Sequence, residues 1–86
     1  MGKRQKFLFR ILKGTSDKSI SFSELCALLE YLGFSKRVKG SHEIFYREDV
    51  SEILNLQPKG RFAKPYQVRQ VRAVLIKYRM GDHIHD

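Results

Sequence analysis

The chain has 86 residues, of which 42% are hydrophobic and 12% aromatic, and its formal net charge is +8. A chain this short is expected to form one domain and to bury only about 60% of the surface that its unfolded form exposes. That leaves no room for a deep, enclosed cofactor cavity, so any active site should be shallow and no cofactor is expected. The hydrophobic content suffices for one core and argues against wholesale disorder.

The single cysteine, Cys26, cannot form a disulfide within the chain, and a lone thiol suits a reducing compartment. It lies on the apolar face of a predicted helix, which favours a core position over a nucleophilic role. The apolar residues 7–9 are interrupted by Arg10 and are too few for a secretory signal or a spanning helix. We therefore expect a cytoplasmic protein with no membrane partner.

Basic residues are concentrated in the C-terminal third of the chain. Residues 57–81 contain seven basic side chains and no acidic one. A cationic surface without carboxylates is typical of proteins that bind the phosphate backbone of a nucleic acid. A solvated lysine-rich face and a membrane-surface binder are the alternatives, and the segregation of charge favours the polyanion.

Two helices are predicted first. Apolar residues at helical spacing predict a helix over residues 3–13, with Gly14 as its end. A second helix is expected to begin at Ser21, where Ser-Phe-Ser-Glu has the form of a capping box, and to end at Gly33. The first helix either covers the core or contacts a partner, and the sequence leaves both open.

Strands follow. Residues 34–39 predict a basic edge strand, Gly40 and Ser41 a tight turn, and residues 43–47 a β-branched and aromatic strand. Residues 48–51 are interpreted as a hairpin connection to a third strand over residues 52–57.

The pattern of alternation assigns the faces of this predicted sheet. His42, Ile44 and Tyr46 share one face, while Phe45 is expected in the core on the other. Pro58-Lys59-Gly60 is predicted to break the sheet, and a long loop should lead to Pro65.

The last helix is predicted from Pro65 to about Arg79. Its core side is formed by Val68, Val71, Val74, Leu75 and Tyr78. Arg69, Arg72 and Arg79 fall on an adjacent stripe, and Ile76 has no place in the core. Met80 and the residues after it should form a frayed tail, with residues 81–86 flexible.

The order of elements indicates the α+β class. Residues 21–80 predict a domain of dsRBD-like α-β-β-β-α order with a three-stranded antiparallel sheet, preceded by an extra N-terminal helix within residues 1–20. The helices would pack on one face of the sheet and leave the other face for a partner.

The segment Lys-Gly-Ser-His-Glu-Ile-Phe, residues 39–45, follows a leucine-rich helix that ends in Gly33-Phe34. Gly-Ser-His-x-x-Phe in this frame resembles the signature of the HicA family, toxins of bacterial toxin–antitoxin pairs that cleave messenger RNA. The resemblance extends over about residues 21–80. It implies His42 as the catalytic residue, Gly40 and Ser41 as its turn, and a HicB-type antitoxin as the protein partner. The second histidine often seen in the family near the third strand is missing here, which leaves His42 as the single candidate.

The chemistry of these residues also makes sense by itself. Cleaving RNA without a metal requires a base for the 2′-hydroxyl proton and an acid for the departing 5′-oxygen, and histidine can serve either task. Ser41 either orients a phosphate or the imidazole, or it simply closes the turn; Tyr46 either stacks on a base or is simply half-buried. The charge that develops on phosphorus needs cations. The candidate RNA-binding cations are Lys36, Arg37, Lys39, Lys59, Arg61, Lys64, Arg69 and Arg72.

Two other functions remain open at this point. A non-catalytic RNA-binding module of dsRBD-like fold would use the same surface, with His42 as a packed or hydrogen-bonded sheet residue. A pure interaction protein would direct its charge to an acidic protein. His83 and His85 form a His-x-His pair that either binds a metal loosely or belongs to a solvated tail, and no metal site is expected.

Overall fold

The structure, a computed structural model, describes residues 2–83 of the chain. Its main elements are α1 (Lys3–Lys13), α2 (Phe22–Tyr31), β1 (Ser35–Lys39), β2 (His42–Arg47), β3 (Val50–Leu56), β4 (Pro58–Lys59), β5 (Phe62–Ala63) and α3 (Pro65–Lys77). Short 3₁₀ turns occur at Asp17–Ser19 and Met80–His83. This arrangement confirms the predicted α+β class and the α-β-β-β-α order behind an N-terminal helix. In the part of the chain described, no helix has the length and apolar character needed to cross a bilayer.

The ends of α2 follow the signals in the sequence. The Ser21 hydroxyl accepts a hydrogen bond from the backbone N–H of Glu24 at 3.3 Å, so Ser21 is the N-cap. Gly33 has φ +91°, and the N–H of Phe34 donates to the carbonyl of Leu29 at 3.0 Å. A left-handed residue followed by this return bond is the usual glycine termination of a helix. The chain is thereby directed from α2 into β1.

Helix α1 is part of the core. Phe7, Leu8 and Ile11 are all buried in the same cluster as the residues of α2 and α3. Each fully buried side chain of this size contributes about 1.5–3 kcal/mol of hydrophobic stabilisation. The sequence left open whether this helix covers the core or contacts a partner, and the fold shows that it covers the core.

The main sheet is an antiparallel meander in the order β1-β2-β3. Phe45 of β2 stands opposite Leu54 of β3, and both are buried against the helices. Ile44 and Asn55 are also paired, and each is next to one of these buried residues on its strand. Because successive side chains point to opposite faces, Ile44 and Asn55 lie on the other face, which we call the outer face. Tyr46 on this outer face is 42% exposed, whereas Phe45 is 0% exposed. The predicted assignment of the two faces is thus confirmed.

Two boundaries predicted from the sequence are wrong. The hairpin connection is shorter than residues 48–51, because β3 already begins at the buried Val50. The stretch before Pro65 is not a long loop: β4 and β5 pair antiparallel as a second hairpin. That hairpin is tied to the segment before α2, since the N–H of Ala63 donates to the carbonyl of Ile20 at 2.9 Å. Proline at the start of β4 ends the main sheet without preventing a short new pairing.

The C-terminal boundary also differs from prediction. Met80 is buried and joins the core, so it is not part of a frayed tail. Ile76 is 60% exposed, as its position outside the apolar face predicts. Residues 84–86, and His85 with them, lie outside the described residues, so the flexible tail and the His-x-His pair stay predictions.

Candidate active site

The turn between β1 and β2 presents His42. Lys39 and His42 are paired across the two strands, which leaves only Gly40 and Ser41 to connect them. Gly40 has φ +62°, and glycine at the first position of a two-residue loop is what a type II′ hairpin turn requires. The sequence therefore folds locally so that His42 begins β2 on the outer face, beside a cation on the neighbouring strand.

The imidazole of His42 is held from β3. Its Nδ1 lies 2.8 Å from Oδ1 of Asn55. An amide oxygen only accepts hydrogen bonds, so Nδ1–H of His42 donates to Asn55. Nε2 makes no hydrogen bond within the described residues. This nitrogen is the one available for proton transfer.

The hydroxyl of Ser41 is fixed by a second polar residue of the same region. Gln57 donates from Nε2 to the Ser41 hydroxyl at 2.8 Å, and its Oε1 accepts from Nζ of Lys64 at 2.9 Å. A chain of hydrogen bonds thus runs from the ammonium group of Lys64 to the turn before His42. It joins three parts of the sequence that the fold brings together: the β1–β2 turn, the end of β3 and the start of α3.

Gln67 of α3 anchors this end of β3. Its Oε1 accepts from the backbone N–H of Gln57 at 3.0 Å, and its Nε2 donates to the carbonyl of Asn55 at 3.3 Å. Only 3% of Gln67 is exposed, and it is the buried polar side chain of the described core. A buried amide satisfied on both atoms holds its neighbours firmly, because breaking either bond would leave a desolvated polar group. The two residues that contact Ser41 and His42 therefore stand on a rigid support.

The cations of β1 divide between the two faces. Lys36 lies 3.3 Å from Glu43 and 3.7 Å from Glu30, so its charge is balanced by carboxylates. These contacts raise the pKa of Lys36, the hydrogen bond that it donates to Glu43 being the largest cause. Arg37 and Lys39 are exposed and have no acidic partner within the described residues. Of the three cations predicted on this strand, these two are the ones free to meet a phosphate.

The cations of the second hairpin are also on the surface. Lys59 is exposed in β4, and Arg61 is exposed with its guanidinium 5.0 Å from the centre of the Phe62 ring. Lys64 follows as the residue before α3 and is the one of the three bonded toward the His42 turn. The segment over residues 58–64 thus carries exposed charge up to the edge of the candidate site.

Arg72 is placed differently from the other predicted cations. Its two guanidinium nitrogens donate to the two carboxylate oxygens of Asp17, both at 2.9 Å, and one also donates to the carbonyl of Ile11 at 3.0 Å. The Arg72 bond holds the pKa of the Asp17 carboxyl below its usual range, and Arg69 lowers it further through charge. Arg69 itself is exposed. The structure brings Arg72 to the junction of α1 and α3, where its charge is already compensated.

Cys26 has the character of a core residue. It is buried, and this burial is the main reason that the pKa of its thiol rises to about 12. A thiol of this kind remains protonated near neutral pH and is a poor nucleophile. The prediction that Cys26 is a core residue is confirmed.

Sequence reasoning missed three residues of the site, namely Asn55, Gln57 and Gln67. One signal pointed to Asn55: it interrupts the apolar run Ile-Leu-x-Leu at a position whose neighbours on the chain, Leu54 and Leu56, are core residues. Alternation alone therefore places it on the face of His42. The contacts of Gln57 and Gln67 depend on how α3 approaches the sheet, and no local pattern indicates them.

Of three comparisons with known proteins, one gave a match. No curated protein and no solved structure gave a match. The family model described as HicA toxin of bacterial toxin–antitoxin matches residues 22–78, about two thirds of the chain. The match begins at the first residue of α2, includes the His42 turn and ends just after α3, with α1 outside it. The chain therefore belongs to the HicA toxin family and is the toxin of a toxin–antitoxin pair.

Proposed function

We propose that this toxin is an endoribonuclease that cleaves messenger RNA with His42 as its single general acid–base residue. The observation that carries the proposal is the state of the imidazole: it stands on the outer face of the sheet, with Nδ1 bonded to Asn55 and with no partner for Nε2 among residues 2–83. A histidine serving only the fold would more commonly have both nitrogens engaged or be buried in the core.

The reaction needs one proton to move. Nε2 of His42 takes the proton of a ribose 2′-hydroxyl while the 2′-oxygen bonds to the adjacent phosphorus. The bond from phosphorus to the 5′-oxygen breaks, and the imidazolium returns its proton to that oxygen. The products are a 2′,3′-cyclic phosphate and a 5′-hydroxyl end, and the residue finishes in its starting state. General acid–base help of this kind contributes about 10²–10⁴-fold in rate.

Nearby cations would stabilise the charge that develops on phosphorus. Lys39 is paired with His42 across the strands, and Lys64 is linked to the same turn through Gln57. Arg37, Lys59, Arg61 and Arg69 are exposed and would hold the RNA backbone on either side. Lys36 and Arg72 are left out of this proposed grip because carboxylates already balance them.

A HicB-type antitoxin is the proposed protein partner. The outer face presents Arg37 and Lys39, which have no acidic partner among residues 2–83, together with the exposed side chains of Tyr46 and Ile53. An acidic partner surface with an apolar centre would complement this face and exclude RNA from the imidazole. Since the proposed substrate is messenger RNA, the protein would work in the bacterial cytoplasm.

The test is cleavage of a single-stranded messenger RNA in EDTA by the wild-type protein and by His42→Ala. We expect the wild type to cut and the variant to lose at least about 100-fold in rate while keeping its affinity for RNA. Cleavage in EDTA would also support the metal-independent mechanism.

Other outcomes would change the assignment. If neither protein cuts and both bind RNA with a steep dependence on salt, the alternative of a non-catalytic RNA-binding module replaces the enzyme. If neither protein binds RNA, the charge serves a protein partner.

A further inference from the structure

We propose that Asn55 is a positioning residue that keeps His42 in one tautomer, with the ring proton on Nδ1 and the lone pair of Nε2 turned toward the substrate. The catalytic meaning of this inference rests on the proposed function. The tautomer itself is a property of the free protein and can be measured without RNA.

The contact between the two side chains determines where the proton lies. Nδ1 of His42 and Oδ1 of Asn55 are 2.8 Å apart, and the amide oxygen has no hydrogen to give. In a neutral imidazole one nitrogen donates and the other accepts, so the bond at Nδ1 leaves Nε2 as the acceptor. The same bond survives when the ring becomes an imidazolium. The ring therefore keeps its orientation while a proton arrives at Nε2 and leaves again.

The register of the sheet explains why Asn55 reaches this nitrogen. Asn55 stands opposite Ile44, and His42 lies two residues from Ile44 on the same face. Diagonal neighbours across two antiparallel strands are within reach of polar side chains. The carbonyl of Asn55 is in turn held by the buried amide of Gln67 at 3.3 Å. The bond from Gln67 to this backbone carbonyl fixes where the Asn55 side chain leaves β3, and the 2.8 Å bond from Nδ1 of His42 holds the side-chain oxygen itself.

An amide suits this position better than a carboxylate would. Both groups accept a hydrogen bond from Nδ1, but a carboxylate would add a negative charge beside the path of a polyanion. It would also favour the imidazolium over the neutral ring that must accept the first proton. Asn55 fixes the tautomer and leaves the positive potential of the outer face intact.

The first experiment is ¹⁵N nuclear magnetic resonance of the imidazole in the full-length protein, at a pH where His42 is neutral. We expect the wild type to show a protonated Nδ1 and an unprotonated Nε2. In Asn55→Ala the two nitrogens should move toward the averaged signals of exchanging tautomers. Asn55→Asp keeps an oxygen acceptor, so it should show the wild-type pattern once the pH is high enough for its ring to be neutral as well. Ile53→Ala is the matched control, since Ile53 lies on the same strand, is 67% exposed and has no polar contact with His42.

Kinetics then separate a positioning role from a structural one. Asn55→Ala should lower kcat about 10-fold, a part of the 10²–10⁴-fold typical of general acid–base catalysis, with KM changed less than about twofold. In a His42→Ala background the same substitution should have no further effect, because the residue acts through the imidazole.

The outcomes distinguish this inference from the proposed function. A wild-type protein with the proton on Nε2, or an Asn55→Ala protein with unchanged ring signals, overturns the role of Asn55 whether or not RNA is cut. The expected tautomer in a protein that cuts no RNA upholds the contact and rejects the nuclease. Cleavage that is equally fast in wild type and Asn55→Ala upholds the nuclease and rejects the positioning role.

Discussion

The two faces of the main sheet differ in burial, although the same strands form both. On the inner face, Phe45 and Leu54 are buried against the helices. On the outer face, one residue further along each strand, Tyr46 and Asn55 are exposed. Because successive side chains of a strand point to opposite sides, one short segment supplies both the core and the candidate site. Substitutions at adjacent positions should therefore alter stability and chemistry separately.

Charge follows the same division. Cations that face the helical layer are compensated: Arg72 by Asp17, and Lys36 by Glu43 and Glu30. Arg37 and Lys39 have no acidic partner within the described residues. The formal net charge therefore counts cations such as Arg72 and Lys36 that are already paired with carboxylates, whereas Arg37 and Lys39 remain available to bind a phosphate.

The sharpest contrast is between Phe45→Ala and Tyr46→Ala. Loss of the fully buried ring should lower the free energy of unfolding by about 3–5 kcal/mol, since it removes apolar burial and leaves a cavity. Loss of the exposed ring next to it should cost less than about 1 kcal/mol. Urea unfolding of the two variants and the wild type measures both values. Equal destabilisation would mean that the two faces are not as different as the structure shows.

The second contrast concerns the compensated charge at the junction of α1 and α3. Asp17→Asn should lower the free energy of unfolding by about 2 kcal/mol at neutral pH, because the partly buried Arg72 loses a two-bond carboxylate partner. The pKa of Asp17 is lowered in the folded protein, so its ionised form stabilises the fold above the ordinary carboxyl range.

That stabilisation should be lost as the pH falls through the lowered pKa of Asp17. Urea unfolding at a series of pH values checks this: the advantage of wild type over Asp17→Asn should be largest near neutrality and shrink in acid. Glu52, whose pKa is lowered to about 2 by bonds from Tyr78 and Lys77, is unchanged in both proteins and contributes equally. An advantage that stays constant with pH would exclude the ion pair as its source.

The smallest effect distinguishes two lysines of β1. Lys39→Ala should weaken RNA binding and reduce the slope of log affinity against log salt by about 1, as expected when one phosphate contact is lost. Lys36→Ala is the matched control on the same strand. It should leave the slope unchanged because Lys36 is already paired with the carboxylates of Glu43 and Glu30. Titration of labelled RNA at several salt concentrations measures the slopes. If both lysines change the slope equally, the division of charge between the faces does not govern binding.

Features that depend on near neighbours in the chain could be predicted from the amino-acid pattern. Helix caps at Ser21 and Gly33, the glycine turn before His42 and the alternation that buries Phe45 are all set by local backbone preferences and by the period of apolar residues. These were enough to predict the fold class and the face on which His42 stands, whereas the family was indicated by the resemblance of Gly-Ser-His-x-x-Phe to a known signature.

Tertiary structure decided what depends on distant parts of the chain. The pairing of residues 58–63, the compensation of Arg72 and the role of α1 in the core all result from segments that meet only after folding. The same holds for the partners of the site, since Asn55 and Gln57 acquire their roles from the register of β3 and from the buried amide of Gln67. Hydrogen bonds require atoms to approach within about 3 Å, and a one-dimensional pattern fixes faces and periods but not such distances.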